Sequence, residues 1–108
     1  MHAPSASLKK ILRDTPPHKL VFVIFSSKEC FVCEKLRQHL PWFANANREN
    51  IQVMAVDVRK YPDLTIEYGV TGVPTILVFA RERLILTEAG VDSKSQLKKL
   101  LKAALQAR

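Results

Sequence analysis

A chain of 108 residues with 47% hydrophobic and 25% charged side chains is long enough for one packed domain and excludes a disordered chain. Its longest strongly apolar run, Leu20 to Phe25, is six residues against the about 20 of a spanning helix, so no segment reads as a membrane span. Seventeen basic and ten acidic side chains give a net charge of +7, but the basic residues are scattered, which favours a solvated surface over a nucleic-acid site.

Residues 1–7 carry neither the basic start nor the apolar core of a secretory signal, so they are read as a leader to one domain over residues 8–108. A cytoplasmic monomer is the default expectation. Leu8, Ile11 and Leu12 follow the spacing of a short amphipathic helix, with Ser5 or Ser7 as its cap and Pro16-Pro17 as its stop. Lys19 to Phe25 is a continuous β-rich apolar run, as expected of a strand covered on both faces.

After Ser26-Ser27 the pattern turns helical, with Cys33, Leu36, Leu40 and Phe43 on one face and Pro41 expected to kink or end the regular part. Asn45 to Asn50 reads as a turn, Ile51 to Val58 as a second strand, and Pro62 to Tyr68 as a short helix closed by Gly69. Thr75 to Ala80 and Leu84 to Ala89 are strands joined by the tight Arg81-Glu82-Arg83 turn, hence an antiparallel hairpin. Ser93 to Gln96 fits a capping box that opens a last helix with Leu97, Leu100, Leu101, Ala104 and Leu105 on its apolar stripe. Strand–helix–strand units need a parallel pair, so this order predicts an α/β fold: a mixed four-stranded sheet flanked by helices on both faces.

The chemistry lies in Cys30-Phe31-Val32-Cys33, just past the first strand and at the start of a helix. Free backbone N–H groups and the helix dipole at such a position favour a thiolate. Cys33 is one turn further on, close enough to attack a mixed disulfide formed at Cys30. The second element is Gly72-Val73-Pro74-Thr75: a proline just before a strand breaks the ladder and leaves backbone groups to which an extended substrate can bind.

The strand, Cys30-x-x-Cys33, a strand ending at Asp57, Tyr68-Gly69-Val70-Thr71-Gly72-Val73-Pro74-Thr75 and a hairpin reaching Gly90 follow one another as in the thioredoxin family. From about Lys19 to its end, the chain resembles that family. The resemblance implies that Cys30 is the attacking thiol, Cys33 the resolving thiol and Pro74 a cis-proline facing the dithiol. Val73 and Gly90 would border the substrate groove, and protein disulfides or dithiols would be the substrates. It makes a thioredoxin reductase a candidate electron donor and calls for no cofactor.

Five positions depart from the family. Phe31 and Val32 stand where the typical thioredoxin has Gly-Pro; exposed apolar groups beside a nucleophile point to contact with substrate. Glu29 replaces the usual tryptophan, and its charge opposes the thiolate that the helix start favours, with Lys28 as a possible counterweight. Ile24 and Val53 occupy the positions of the family's buried aspartate and its lysine partner, which assist proton transfer at the resolving thiol. A slower resolving step and a more stable core are expected.

Outside the motif, His39 reads as an exposed helix-face residue, and His2 and His18 have no ligand spacing to the cysteines, so no metal site is expected. Trp42 is either packing or exposed. The Lys98-Lys99-Lys102 group lies mostly opposite the leucine stripe and reads as solvated. The leading expectation is a thiol–disulfide oxidoreductase. The alternatives are a module of the same fold that docks a partner through the groove, and a basic adaptor for nucleic acid or acidic protein.

Overall fold

The computed structural model describes residues 5–108, with side chains from residue 7. Its elements are α1 (Ser5–Asp14), β1 (Leu20–Ser26), α2 (Phe31–Ala46), β2 (Ile51–Asp57), α3 (Pro62–Glu67), β3 (Thr75–Ala80), β4 (Arg83–Ala89) and α4 (Lys94–Ala107). The strands form one sheet in the order β2-β1-β3-β4. β1 runs parallel to β2 and antiparallel to β3, and β3 and β4 form the antiparallel hairpin. The expected α/β architecture is the observed one.

The apolar runs of β1 and β3, broken only by Ser26 at the end of one and Thr75 at the start of the other, explain why they sit in the middle. A strand without a polar face needs cover on both sides, and alternate side chains point to opposite faces. Leu20, Phe22 and Ile24 join Leu36 and Phe43 of α2 and Leu97, Leu100 and Ala104 of α4 in one core. Val21, Val23 and Phe25 join Leu8 and Leu12 of α1 and Leu64 of α3 in the other. The Phe22 and Phe43 rings meet edge to face, 5.3 Å between centroids. β4, at the sheet edge, leaves every one of its residues exposed or half-buried.

Several boundaries differ from the sequence reading. α1 begins at Ser5, so Ser7 lies inside the helix instead of capping it. The expected leader thus overlaps α1, and its residues 1–4, with His2, lie outside the described part of the chain. Pro41 does not end α2, which runs on to Ala46. Proline removes one backbone donor, and the apolar contacts of Leu36, Leu40 and Phe43 on both sides of it hold the helix in place. The hairpin turn is tighter than expected: Ala80 pairs with Arg83, leaving Arg81 and Glu82 to close it. The Ser93–Gln96 capping box forms as its sequence predicts.

Register decides where the site lies. The last pair of the β1–β3 ladder is Phe25 with Thr75, and Thr75 also pairs with Ala89 of β4. The loop leaving β1, the residues entering β3 and the residues leaving β4 therefore meet at one end of the sheet. Such an end, where the chain leaves a central strand for a helix, is where open α/β sheets bind ligands.

Candidate active site

Cys30 is the N-cap of α2. Its backbone is extended (φ −116°, ψ 111°), and its sulfur accepts the Cys33 N–H at 3.1 Å while its carbonyl accepts the Glu34 N–H. A sulfur thus takes the place of the capping oxygen, at a helix terminus whose partial positive charge favours an anion. Cys33 lies one turn on, 5.1 Å away between Cα atoms, and the two cysteines are joined as a disulfide. They are unequal in access. Cys30 is half-buried, whereas Cys33 is wholly buried (0% exposed).

Across from the dithiol, Cys30 Sγ lies 3.8 Å from the Val73 carbonyl oxygen. The Val73–Pro74 peptide bond is cis. Val73 stands outside the β1–β3 ladder, while the Pro74 carbonyl accepts the Gly90 N–H at 3.0 Å, so that only part of the backbone at this rim is left open. That bond ties the third expected groove residue to the second. Gly90 has φ 75°, a conformation that favours glycine, although nothing lies within 4 Å of where a Cβ would point. Phe31 projects from the first turn of α2 with 74% of its surface exposed, under the Lys35 ammonium at 5.4 Å from the ring centroid. Val32 is half-buried beside it. Cys30, Cys33, Phe31, Val32, Val73, Pro74 and Gly90 therefore share one end of the sheet.

The Thioredoxin family model matches residues 2–103. The chain belongs to the thioredoxin family. A thioredoxin of Buchnera aphidicola is 31% identical over 88 residues, covering 82% of this chain and 81% of that protein. A thioredoxin of Alicyclobacillus acidocaldarius is 30% identical over 88 residues, 82% and 84% of the two chains. A thioredoxin-like protein of Synechocystis is 28% identical over 92 residues, 85% and 86%. Family membership together with the paired cysteines places the chain among thiol–disulfide oxidoreductases in general.

The departures from the thioredoxin pattern now have surroundings. Ile24 is 1% exposed in the α2/α4 core, and Val53 pairs with Phe22, one same-face step away. Packed hydrocarbon thus stands where the resemblance implies a carboxylate and an ammonium. Glu29 is paired, but not with Lys28: Arg59, two residues past β2, reaches its carboxylate at 2.5 Å. The partner is 30 positions away in sequence, and only the parallel β1–β2 pairing brings their loops together. No local signal could have found it. Arg59 draws toward itself a negative charge adjacent to Cys30, and both side chains are exposed, so the effect is modest. Reduced Arg59→Ala is expected to react with iodoacetamide at neutral pH about two- to threefold more slowly than the parent, and Glu29→Gln somewhat faster. Equal rates in all three would show that the pair has no bearing on Cys30.

Of the other residues weighed, His39 is half-buried on α2 instead of freely exposed, and His18 is exposed and gives its carbonyl to Arg108. Among the described residues no group of three or more His, Cys, Asp or Glu could hold a metal ion, and no helix is long and apolar enough to cross a membrane. In the Tyr68-Gly69-Val70 stretch, burial and then the neighbouring Glu67 push the Tyr68 phenol up.

Proposed function

We propose that this protein exchanges disulfides with protein substrates, Cys30 attacking and Cys33 resolving. The observation that carries this reading is the inequality of the pair: one sulfur reachable at a helix N-cap, the other buried within bonding distance. In the first step the Cys30 thiolate attacks a substrate sulfur, forming a mixed disulfide and releasing one substrate thiolate. In the second, Cys33 gives up its proton and attacks Cys30 Sγ, which releases the other substrate thiolate and leaves the Cys30–Cys33 disulfide. Two electrons pass to the substrate, and a dithiol donor, a thioredoxin reductase in this proposal, returns them. A cytoplasmic setting belongs to the same reading.

The rim supports a peptide substrate. An extended chain laid across Val73 would find main-chain groups outside the sheet ladder, with Pro74 and Gly90 as the floor beneath. Phe31 and Val32 would then cover apolar side chains of the substrate. Burying an exposed phenylalanine contributes roughly 1.5–3 kcal/mol at most, so Phe31→Ser is expected to raise KM for a protein disulfide about tenfold. Its rate toward a small symmetric disulfide should be unchanged. A loss of equal size with both substrates would remove Phe31 from the substrate rim.

Insulin reduction tests the reading. The protein should accelerate reduction driven by a small dithiol well beyond that dithiol alone. One observation favours the alternative of a docking module whose dithiol works slowly: Ile24 and Val53 leave Cys33 without the nearby acid–base pair of typical thioredoxins. Substrate binding without acceleration would select the module.

A further inference from the structure

α4 carries four lysines and no acidic residue over Lys94–Ala107. Three of them, Lys94, Lys98 and Lys102, are spaced four apart and so form a row along one side of the helix. None forms an ion pair among the described residues, and Lys94 occupies the first helical position, where the dipole disfavours a cation. Lys94 and Lys98 instead lie over the ring of Trp42 on α2, 5.0 and 5.7 Å from its centroid. Trp42, 37% exposed, forms one wall of a groove of about 470 Å³ between α2 and α4, with Phe43, Leu101 and Leu105 among its lining and Lys98 and Lys102 at its side. The lysines expected to be a plain solvated face therefore border an apolar trough.

We infer that this groove docks an acidic amphipathic helix of a partner protein. The apolar trough accepts the hydrophobic stripe of such a helix, and the lysine row, spanning about 12 Å or two turns, matches acids at four-residue spacing. Neither half of the surface alone specifies this occupant. Nucleic acid would satisfy the lysines and leave Leu101 and Leu105 uncovered, and the lysines over Trp42 obstruct base stacking on the ring. Trp42 lies about 18 Å along α2 from Cys30, so a docked partner leaves the dithiol free. The surface gives the protein a means of choosing a partner that is independent of the disulfide chemistry.

Trp42 is the one tryptophan of the chain, so its emission reports on the groove directly. The probe is a synthetic helix of about 18 residues with leucines along one face and glutamates beside them, compared with a scrambled peptide of the same composition. A saturable change in Trp42 emission is expected with the patterned peptide only. The surface variant Lys98→Glu/Lys102→Glu should weaken it about tenfold or more, with the Cys30–Cys33 redox equilibrium unchanged. The inference is overturned by no saturable change up to about 1 mM peptide. It is equally overturned by equal binding of the scrambled peptide or of the double variant, by tighter binding of single-stranded DNA or anionic vesicles, or by self-association that covers Trp42.

Discussion

Replacing Cys30 by serine is expected to remove turnover, bringing insulin reduction down to the rate of the small dithiol alone, a fall of at least about a hundredfold. A hydroxyl at the N-cap still accepts the Cys33 N–H, so the helix start survives and the loss belongs to the nucleophile. Cys33→Ser should behave differently. Its Cys30 thiolate still attacks, but no second sulfur releases the product, and a covalent mixed disulfide with substrate accumulates. The order of roles is thus read from which variant traps substrate. If Cys30→Ser traps and Cys33→Ser does not, the assignment is reversed; if neither cysteine matters to turnover, exchange at this pair is wrong.

The second large effect is at Ile24. Placing a carboxylate at a position 1% exposed, in a cluster made of Leu20, Phe22, Leu36, Phe43 and Ile76, leaves a charge without a partner. Ile24→Asp is expected to cost about 3–5 kcal/mol of stability, read from denaturant unfolding. It should also quicken the resolving step, because a buried carboxylate can take the proton that Cys33 must lose. Ile24→Asn separates the two consequences, since it disrupts the same packing with no group that ionises. If Asp and Asn resolve mixed disulfides at the same rate, the missing acid is not what sets that rate. Should Ile24→Asp fail to fold, Ile24→Asp/Val53→Lys restores a charge partner on the same face, and the rate comparison is made there.

The parts that were legible in sequence are those fixed by neighbours along the chain. The apolar run of β1, the β3–β4 hairpin, the Ser93–Gln96 box and Cys30 at a helix start each depend on a few adjacent residues. The Gly72-Val73-Pro74-Thr75 segment was recognisable, but which of its backbone groups stay open depended on Gly90, whose N–H takes the Pro74 carbonyl. What the sequence concealed depends on distant pairs. Arg59 meets Glu29 because two loops follow adjacent parallel strands, and Trp42 meets Lys94 and Lys98 because α2 and α4 lie on the same face of the sheet. Pro41 does not end α2 for a related reason: its local preference for ending a helix is weaker than the burial of Leu36 and Phe43 on either side of it.

The central claim, that Cys30 and Cys33 form a working redox couple, is tested most directly by equilibrating the protein with glutathione buffers of graded poise and counting trapped thiols. The expected result is a single two-electron transition between a dithiol and an intramolecular Cys30–Cys33 disulfide, at a potential within the range of about −270 to −120 mV spanned by C-x-x-C proteins. Cysteines that stay reduced across that range, or that end as separate glutathione adducts with no intramolecular disulfide, would contradict it.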